Sequence, residues 1–455
     1  MSVLNQIAYS GVRANQVALA STGQNIANVN TPGFSRLNTV SASLAGQGGL
    51  SVGGGVEVIS IRRMTNEFHN QQLWRATTEQ NYYSSSQQYL TSLEALMAGD
   101  GSSISRGLDQ FFSAVSEATA TPNSIAMRQQ VVSEAANLAQ RFNVLSSNID
   151  GQIKALQEQR VAMAGEINGL TENIALLNVK IVETESVKGD SSALRDHREA
   201  LVGELSKFAK LRVNETADGS LTVALANGQP LVAGPTAGQL QVQQMNSGEQ
   251  DVSLSFAGTR FPLRQDSFGG AFGGIYQAEY QNLRPNLEGL HDMASQLSTM
   301  VNDVLGQGFD LNGAQGKPLF TYDPTSTTAM LRANPLTPEE LAFSSAADET
   351  GNNEVLLGLL ELKGQTINLN GSQVTLNDAY AGLLGKLAND SRQNQADLKS
   401  ATTVNQQAQA QRDSVSAVNL DEEAVNLMTY QQAYQANMKV ISAANDLFQQ
   451  MLAAF

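Results

Sequence analysis

The sequence contains no cysteine, which excludes disulfides and thiolate metal ligands. It holds no run of about twenty apolar residues, so no bilayer-spanning helix is expected. The first residues lack the basic start and apolar core of a secretory signal, so a cleaved leader is not expected. Positive charge is scarce: 28 Lys and Arg stand against 43 Asp and Glu, a net charge of −15, with no basic tract. No nucleic-acid or anionic-membrane footprint follows from such a balance. The three histidines, His69, His197 and His291, lie far apart and in no ligand spacing, and read as solvated positions on helix surfaces.

Motifs of chemistry are missing as well. There is no Gly-x-Ser-x-Gly elbow, His-Glu-x-x-His pair or dinucleotide fingerprint. The glycines Gly46, Gly48, Gly49, Gly53, Gly54 and Gly55 are not followed by Lys-Ser/Thr, so they form no phosphate loop and suit an extended ribbon from Val40 to Ile61. Asp310-Leu311-Asn312-Gly313 opens like a calcium loop, but Thr321 stands where the bidentate Glu belongs, and a plain turn is expected. Arg195, Asp196, Arg198 and Glu199 read as a surface ion-pair network. Trp74 reads as packed. No catalytic residue, metal or cofactor is expected, and the chain is not read as an enzyme.

What the sequence does have is helical periodicity. From Leu420 to Leu452, steps of four and three select Leu420, Ala424, Leu427, Gln431, Tyr434, Met438, Ile441, Asn445, Phe448 and Leu452, and all but Gln431 and Asn445 are apolar or aromatic. This is a narrow seam of coiled-coil type on a stretch free of Pro and Gly. A helix over it is about 50 Å long. Asp421, Glu422 and Glu423 suit the positive end of its dipole. A second stripe at the other end of the chain, Leu4, Ile7, Gly11, Ala14, Ala18 and Ser21, has small side chains that let a larger-sided helix come close. The two ends can therefore pair, which suits a subunit of an assembly. A terminal helix docked on its own domain is the plainer alternative.

Between them, Asn28-Val29-Asn30-Thr31-Pro32-Gly33-Phe34-Ser35-Arg36 stops the first helix, because Pro32 has no N–H and Gly33 tolerates positive φ. Helices are predicted over 65–98 and 104–118, and a restart at Thr121-Pro122 with Thr as cap and Pro at the first helical position. The longest periodicity runs through Leu138, Phe142, Leu145, Ile149, Ile153, Leu156, Arg160, Met163, Ile167, Leu170, Ile174, Leu177 and Ile181, with one stutter at Ile149–Ile153 and Arg160 as its one non-apolar member. Gly151, Gly165 and Gly169 allow a bend or break there. Another helix reaches about Ala209. Residues 211–263 then alternate apolar and polar, with turns at Asp218-Gly219, Asn227-Gly228 and Ala257-Gly258: a small antiparallel β unit closed by Gly269-Gly270 and Gly273-Gly274. A helix returns over 275–305, and a short hairpin is predicted at 366–376 around Asn370-Gly371. From Leu376 the pattern is helical to the end, interrupted near 416–421. The abundant Gln, Asn and Ser suit polar surfaces that meet many neighbours.

The Asn28–Arg36 motif resembles the one shared by rod, hook and hook-associated proteins of the bacterial flagellum, in the Thr-Pro-Gly form of the junction proteins. The run Ser416-Ala417-Val418-Asn419-Leu420-Asp421-Glu422-Glu423-Ala424, followed by Tyr430-Gln431-Gln432-Ala433-Tyr434-Gln435-Ala436-Asn437, resembles that family's other end. Phe111-Phe112-Ser113-Ala114, Arg128-Gln129, Leu194–Arg198, Gly228–Val232 and Gly308–Gly313 look like its hook–filament junction branch. The chain is short after about Asp323, where larger members carry a further outer domain.

The resemblance implies a mainly α fold with a β-rich insertion: terminal helices forming a coiled coil, a long-helix bundle domain and a small antiparallel β outer domain. It implies six segments: 1–64, an assembly helix and ribbon; 65–210, a helical bundle domain; 211–270, a β-rich outer domain; 271–306, a helix returning to the bundle; 307–375, a mixed segment; and 376–455, the C-terminal helical region. It also implies export by the flagellar type III apparatus without a cleaved signal, a cytoplasmic chaperone on the C-terminal region, and a ring of copies of the chain between the hook protein and the second junction protein, outside the cell. The assembly residues are then Leu4, Ile7, Ala14, Ala18, Asn28, Asn30, Thr31, Pro32, Gly33, Phe34, Arg36, Asn419, Leu420, Leu427, Tyr430, Tyr434, Met438, Ile441, Phe448 and Leu452. Alternatives are a rod or hook subunit, or a flagellar-surface protein with an adhesive or enzymatic outer domain.

Overall fold

The computed structural model describes residues 3–45, 53–245, 248–369 and 371–453. The expectations for Gly46, Gly48, Gly49 and Asn370 lie outside the described residues. Helix α1 (Val3–Ala27) leads into strands β1 (Leu37–Leu44) and β2 (Gly55–Arg63). Helices α2 (Glu67–Ala98), α3 (Ile104–Ala118), α4 (Ile125–Ser186) and α5 (Ser192–Phe208) follow. Strands β3 (Leu211–Glu215), β4 (Leu221–Leu225), β5 (Pro230–Ala233) and β6 (Thr236–Ala237) form one antiparallel sheet. Strands β7 (Gln239–Gln244), β8 (Gln250–Phe256) and β9 (Thr259–Pro262) form another.

The chain then returns through α6 (Gly270–Gln277), a π-helical turn (Ala278–Leu283) and α7 (Arg284–Leu305). The hairpin of β10 (Phe320–Tyr322) and β11 (Leu331–Ala333), helix α8 (Glu354–Glu361), and the hairpin of β12 (Thr366–Leu369) and β13 (Ser372–Thr375) precede α9 (Leu376–Ser416) and α10 (Leu420–Ala453).

The chain folds into two compact units, each assembled from separate stretches of sequence. The first holds Met1–Gln80 with Ala164–Gly270 and Ser400–Phe455, and the second holds Asn81–Met163 with Ala271–Lys399. The apolar series on α4 supplies core to both. Every member from Leu138 to Ile181 is buried except Leu170, which is half-buried. Gly151, Gly165 and Gly169 cause no break, because all three sit on the exposed side of a helix whose apolar stripe is continuous.

Three local readings need correction. Thr121-Pro122 does not start α4. It lies in a turn closed by the Ser124 N–H on the Thr121 carbonyl at 3.0 Å, and the Pro122 carbonyl accepts from Arg128 Nε at 2.6 Å. The stretch Gly270–Gly274 does not close the β unit but opens α6. Glycine is needed at 274 because a Cβ there would fall inside the contact radius of the Tyr82 carbonyl oxygen on α2. The return helix also begins earlier than Ile275 and passes through the π turn.

A recurring device docks strands on helices. The carboxamide of Asn178 on α4 accepts the Leu221 N–H at 2.9 Å and donates to the Leu221 carbonyl at 2.9 Å. Asn168 does the same with Leu240, at 2.7 and 2.9 Å. In the second unit Asn143 pairs with Leu331, Asn302 with Phe320 and Gln296 with Asn368, each in both directions. One donor and one acceptor on a short side chain imitate a neighbouring strand residue and satisfy both backbone groups. Part of the Asn and Gln abundance therefore works inside the fold, rather than only at surfaces that meet neighbours.

Candidate assembly interface

The site is built where the two chain ends meet, within the first unit. Helix α1 ends in turns, and Thr31-Pro32-Gly33-Phe34 forms a β-turn with the Phe34 N–H on the Thr31 carbonyl at 3.2 Å and Gly33 at φ 81°. That is the type II pattern, which favours Pro at its second position and Gly at its third. The turn delivers Arg36 to the start of α10. Its Nε donates to Glu423 Oε1 at 2.8 Å and its Nη1 to Glu422 Oε2 at 2.7 Å. Its backbone N–H donates to the Ser416 carbonyl at 2.9 Å, at the end of α9.

Asn25 completes the knot. It pairs in both directions with the Leu37 backbone, at 2.8 and 2.9 Å, and also donates to Glu423 Oε2 at 3.1 Å. Glu423 is 1% exposed, so its carboxylate depends on these donors. Arg412 of α9 donates to the Gly33 carbonyl at 3.2 Å. Asn419 accepts the Asp421 N–H at 3.0 Å in the first turn of α10.

Helix α1 lies along α10, the pairing that the two stripes allow. Gly11 is buried, and a Cβ on it would meet the Asn437 side chain at 2.7 Å. Ala8, Val12, Ala18 and Ser21 are buried, while Asn5 donates to Asn445 at 3.0 Å near the distal end. The contact line on α10 is displaced from the apolar seam, however. The side chains buried on α10 are Glu423 and Ala444, and Tyr430, Tyr434 and Ile441 are half-buried.

Leu420, Leu427, Met438, Phe448 and Leu452 stay exposed, Leu452 to 62%, and so does Leu4 on α1. Ile7 and Ala14 are half-buried. In the turn, Asn28, Gly33, Phe34 and Arg36 are half-buried, whereas Asn30, Thr31, Pro32 and Asn419 are exposed. The two ends pair through small and polar side chains and leave a line of large apolar ones free.

A flagellar hook-associated protein FlgK helical domain matches residues 90–320, which is half of the chain, and a flagellar basal body rod FlgEFG protein C-terminal region matches 409–454. The chain belongs to the FlgK family of flagellar hook-associated proteins. It is 26% identical to flagellar hook-associated protein 1 of Salmonella typhimurium over 551 aligned positions, covering 99% of this chain and 100% of that one. It is 24% identical to the Bacillus subtilis protein of that name over 498 positions, covering 98% and 97%. The flagellar hook junction protein FlgK from Burkholderia pseudomallei has the same fold, with a TM-score of 0.69 at 17% identity, covering 75% of this chain and 99% of that one. Since this chain has 455 residues, at least 96 positions of the Salmonella alignment are filled by the relative alone. The mainly α architecture with antiparallel β insertions is that of the FlgK family.

The charged cluster after α4 departs from the surface network expected of it. Asp196 and Arg198 are buried rather than at the surface. Arg63 of β2 bridges Asp196 at 2.7 Å and Glu199 at 2.6 Å, Asn70 also donates to Glu199, and the Ser35 N–H donates to Asp196 at 3.2 Å. The turn after α1 thus sits directly on α5.

Arg198 donates to Asn178 at 2.8 Å and to the Gly219 carbonyl at 2.7 Å, and burial pulls its pKa down to about 10. Arg195 pairs with Glu185 at 2.8 Å and with Glu215, and its hydrogen bond holds the Glu185 carboxyl below the usual range. An alternation of Arg and acid on one helix carried the signal, but nothing in the local spacing placed β2 against it. His291 is also not a plain surface histidine: it is half-buried, with Nδ1 at 3.0 Å from the Tyr322 hydroxyl.

Proposed function

We propose that this FlgK-family chain is a structural subunit of the bacterial flagellum that forms the adaptor between hook and filament and is needed for filament assembly. One observation carries the reading. The chain aligns end to end with hook-associated protein 1, and along α10 it leaves Leu420, Leu427, Met438, Phe448 and Leu452 exposed although α1 already lies beside that helix. Large apolar side chains along one side of a helix are unfavourable in water at about 25 cal/mol per Å² and are covered when neighbouring copies assemble. The 409–454 match, to a rod-type C-terminal region, does not separate the junction from a rod or hook subunit, whereas the hook-associated helical-domain match over 90–320 favours the junction.

In this reading the exposed line and the Asn28–Arg36 turn form the assembly interface, with copies of the chain as lateral neighbours and the hook protein and second junction protein as axial ones. The six-segment layering, export without a cleaved signal, the extracellular location at the junction, and a chaperone on the C-terminal region belong to the same proposal. The role is mechanical, and no catalytic step is assigned.

The test is deletion of the gene in its native bacterium, with electron microscopy of the flagella and a flagellin assay of the medium. Hooks without filaments and flagellin shed into the medium support the reading. Absent hooks move it to a rod or hook subunit, and intact filaments with normal swimming overturn it.

A further inference from the structure

The β1–β2 ribbon has one edge that the fold closes and one that it leaves open. The Met64 N–H donates to the Arg36 carbonyl at 2.8 Å, so in the next pair, Leu37 with Arg63, both backbones turn away from the partner strand. On β1 the Asn25 carboxamide takes the Leu37 N–H and carbonyl. On β2 no group among the described residues takes those of Arg63, nor those of Ile61 two positions back. Other edges are managed: Asn168 covers Leu240 on β7, and β9 carries Pro262, which has no N–H.

The open edge borders a groove of about 460 Å³ within the first unit. One wall is Ile59–Arg63, five consecutive residues. A groove over the face of a strand is lined by alternate residues, so this one runs along the edge. The other wall is Lys188–Ser192, between α4 and α5. The acids here are engaged: Glu185 is held by Arg195 at 2.8 Å and by Ser191 at 2.5 Å, and Asp190 accepts the Ser192 N–H at 2.9 Å. Arg62 and Lys188 are exposed and have no acid partner among the described residues. The free charge in the groove is therefore positive, on a chain of net charge −15.

Lys188 is also held at φ 59°. Its N–H reaches the Glu185 carbonyl at 2.9 Å, and the Gly189 N–H reaches the Thr184 carbonyl at 2.8 Å. This is a Schellman end to α4, whose left-handed residue is usually glycine. The lysine charge suits a helix end, but glycine would sit there without backbone strain.

We infer that this groove takes an extended, acidic segment of another protein, which adds to β2 as a third strand of the ribbon. Ile61 and Arg63 offer it four backbone hydrogen-bonding groups, and Arg62 and Lys188 favour carboxylates beside them. A second copy has no such strand to give among the described residues. Its runs of adjacent acids, Glu339-Glu340, Asp348-Glu349 and Asp421–Glu423, stand in a 3₁₀ turn, a turn and a helix. The groove does not rest on the junction reading.

The test uses the full-length chain and three eight-residue peptides: one that alternates Val and Glu, its Gln analogue, and a form N-methylated at every amide. Saturation with the Glu peptide is expected to slow exchange of the Ile61 and Arg63 amides at least about 100-fold, and to change those of Ser60 and Arg62, which already face β1, by less than about threefold. The Gln analogue binds about tenfold more weakly and the N-methylated form not at all. Lys188→Gly weakens binding of the Glu peptide by about threefold to tenfold yet melts no lower than the parent. Absence of protection at Ile61 and Arg63 with about 1 mM peptide overturns the site. Equal affinity for the Glu and Gln peptides overturns the acidic partner. Protection of the same two amides that grows with chain concentration, without peptide, overturns the proposal in favour of a second copy. Each failure leaves the junction reading standing, and intact filaments after gene deletion leave the groove standing.

Discussion

Arg160 and Glu279 meet at 2.6 Å with no exposed surface on either side chain. Arg160 is the one charged member of the apolar series on α4, and Glu279 projects from the π-helical turn between α6 and α7. Gln157 and Arg284 also donate to Glu279, at 3.3 and 2.6 Å. Two cations therefore share one carboxylate. Replacement of the acid is the more harmful change, because Glu279→Leu breaks an ion pair with no exposed surface and leaves the Arg160 charge without its carboxylate, at a cost of about 3–5 kcal/mol. Arg160→Met costs less, because Glu279 keeps Arg284. The double variant recovers much of the loss, since an apolar pair of similar volume is often neutral in such positions. Urea unfolding of the four proteins measures all three values.

The strand-docking carboxamides give a second expectation. Asn168→Asp keeps the acceptor for the Leu240 N–H but turns an acceptor toward the Leu240 carbonyl, where Asn168 now donates at 2.9 Å. The loss is about 1–3 kcal/mol, the cost of a part-buried carbonyl without its donor. Asn173→Asp on the same helix is the control, because Asn173 is exposed and donates only to the Gly169 carbonyl one turn back. Exchange of the β7 amides is expected to rise in the first variant and not in the second.

Much of this architecture is legible before any coordinates. The helix over Ile104–Ala118, the α4 stripe and the break before Leu420 follow from apolar periods and from breakers, which are local signals. The turn at Thr31–Phe34 follows from Pro and Gly chemistry. What was not legible depends on residues far apart in the chain. Asn25 and Glu423 are 398 residues apart, and Arg63 and Asp196 are 133 apart. Nothing local to Glu423 separates a dipole-matched surface carboxylate from a buried one with two donors. The α10 seam shows the same limit. Its period identifies a helix with an apolar line, but period alone does not say that α1 would take the neighbouring line of small and polar side chains.

His291 supplies a pH dependence. It is half-buried near Asp150, Asp292 and Glu288, and beside Tyr322. Burial lowers its pKa below 6.5 and outweighs the acids, which push it up. The folded protein thus prefers the neutral ring. As pH falls through 6.5 the unfolded chain takes up the proton first, so this group's contribution declines from there down to the folded pKa and is level below it. Asp150 has its pKa raised, first by burial, and works in the opposite direction, so the informative comparison is between proteins rather than between pH values alone. The thermal midpoint is expected to drop between pH 7.5 and pH 5.5 by less in His291→Gln than in the unmodified chain. An identical drop in both removes His291 from the account.

The exposed line on α10 separates stability from assembly. Leu427 is 38% exposed and Met438 is 44% exposed in the isolated chain, so Leu427→Asp and Met438→Asp place the new carboxylate where water already reaches. Monomer stability is expected to change by no more than about 0.5 kcal/mol. In an assembly that covers the line, the same carboxylate is buried without a partner and costs several kcal/mol, roughly a thousandfold loss of association. Each variant should therefore melt like the parent yet fail to restore filaments to a deletion strain. Gln432→Asp, exposed and roughly 120–140° around the helix from Met438 and Leu427, is the control that should still restore them. Restoration by Leu427→Asp and Met438→Asp to the level of that control would mean that the apolar line is not the surface on which the subunits meet.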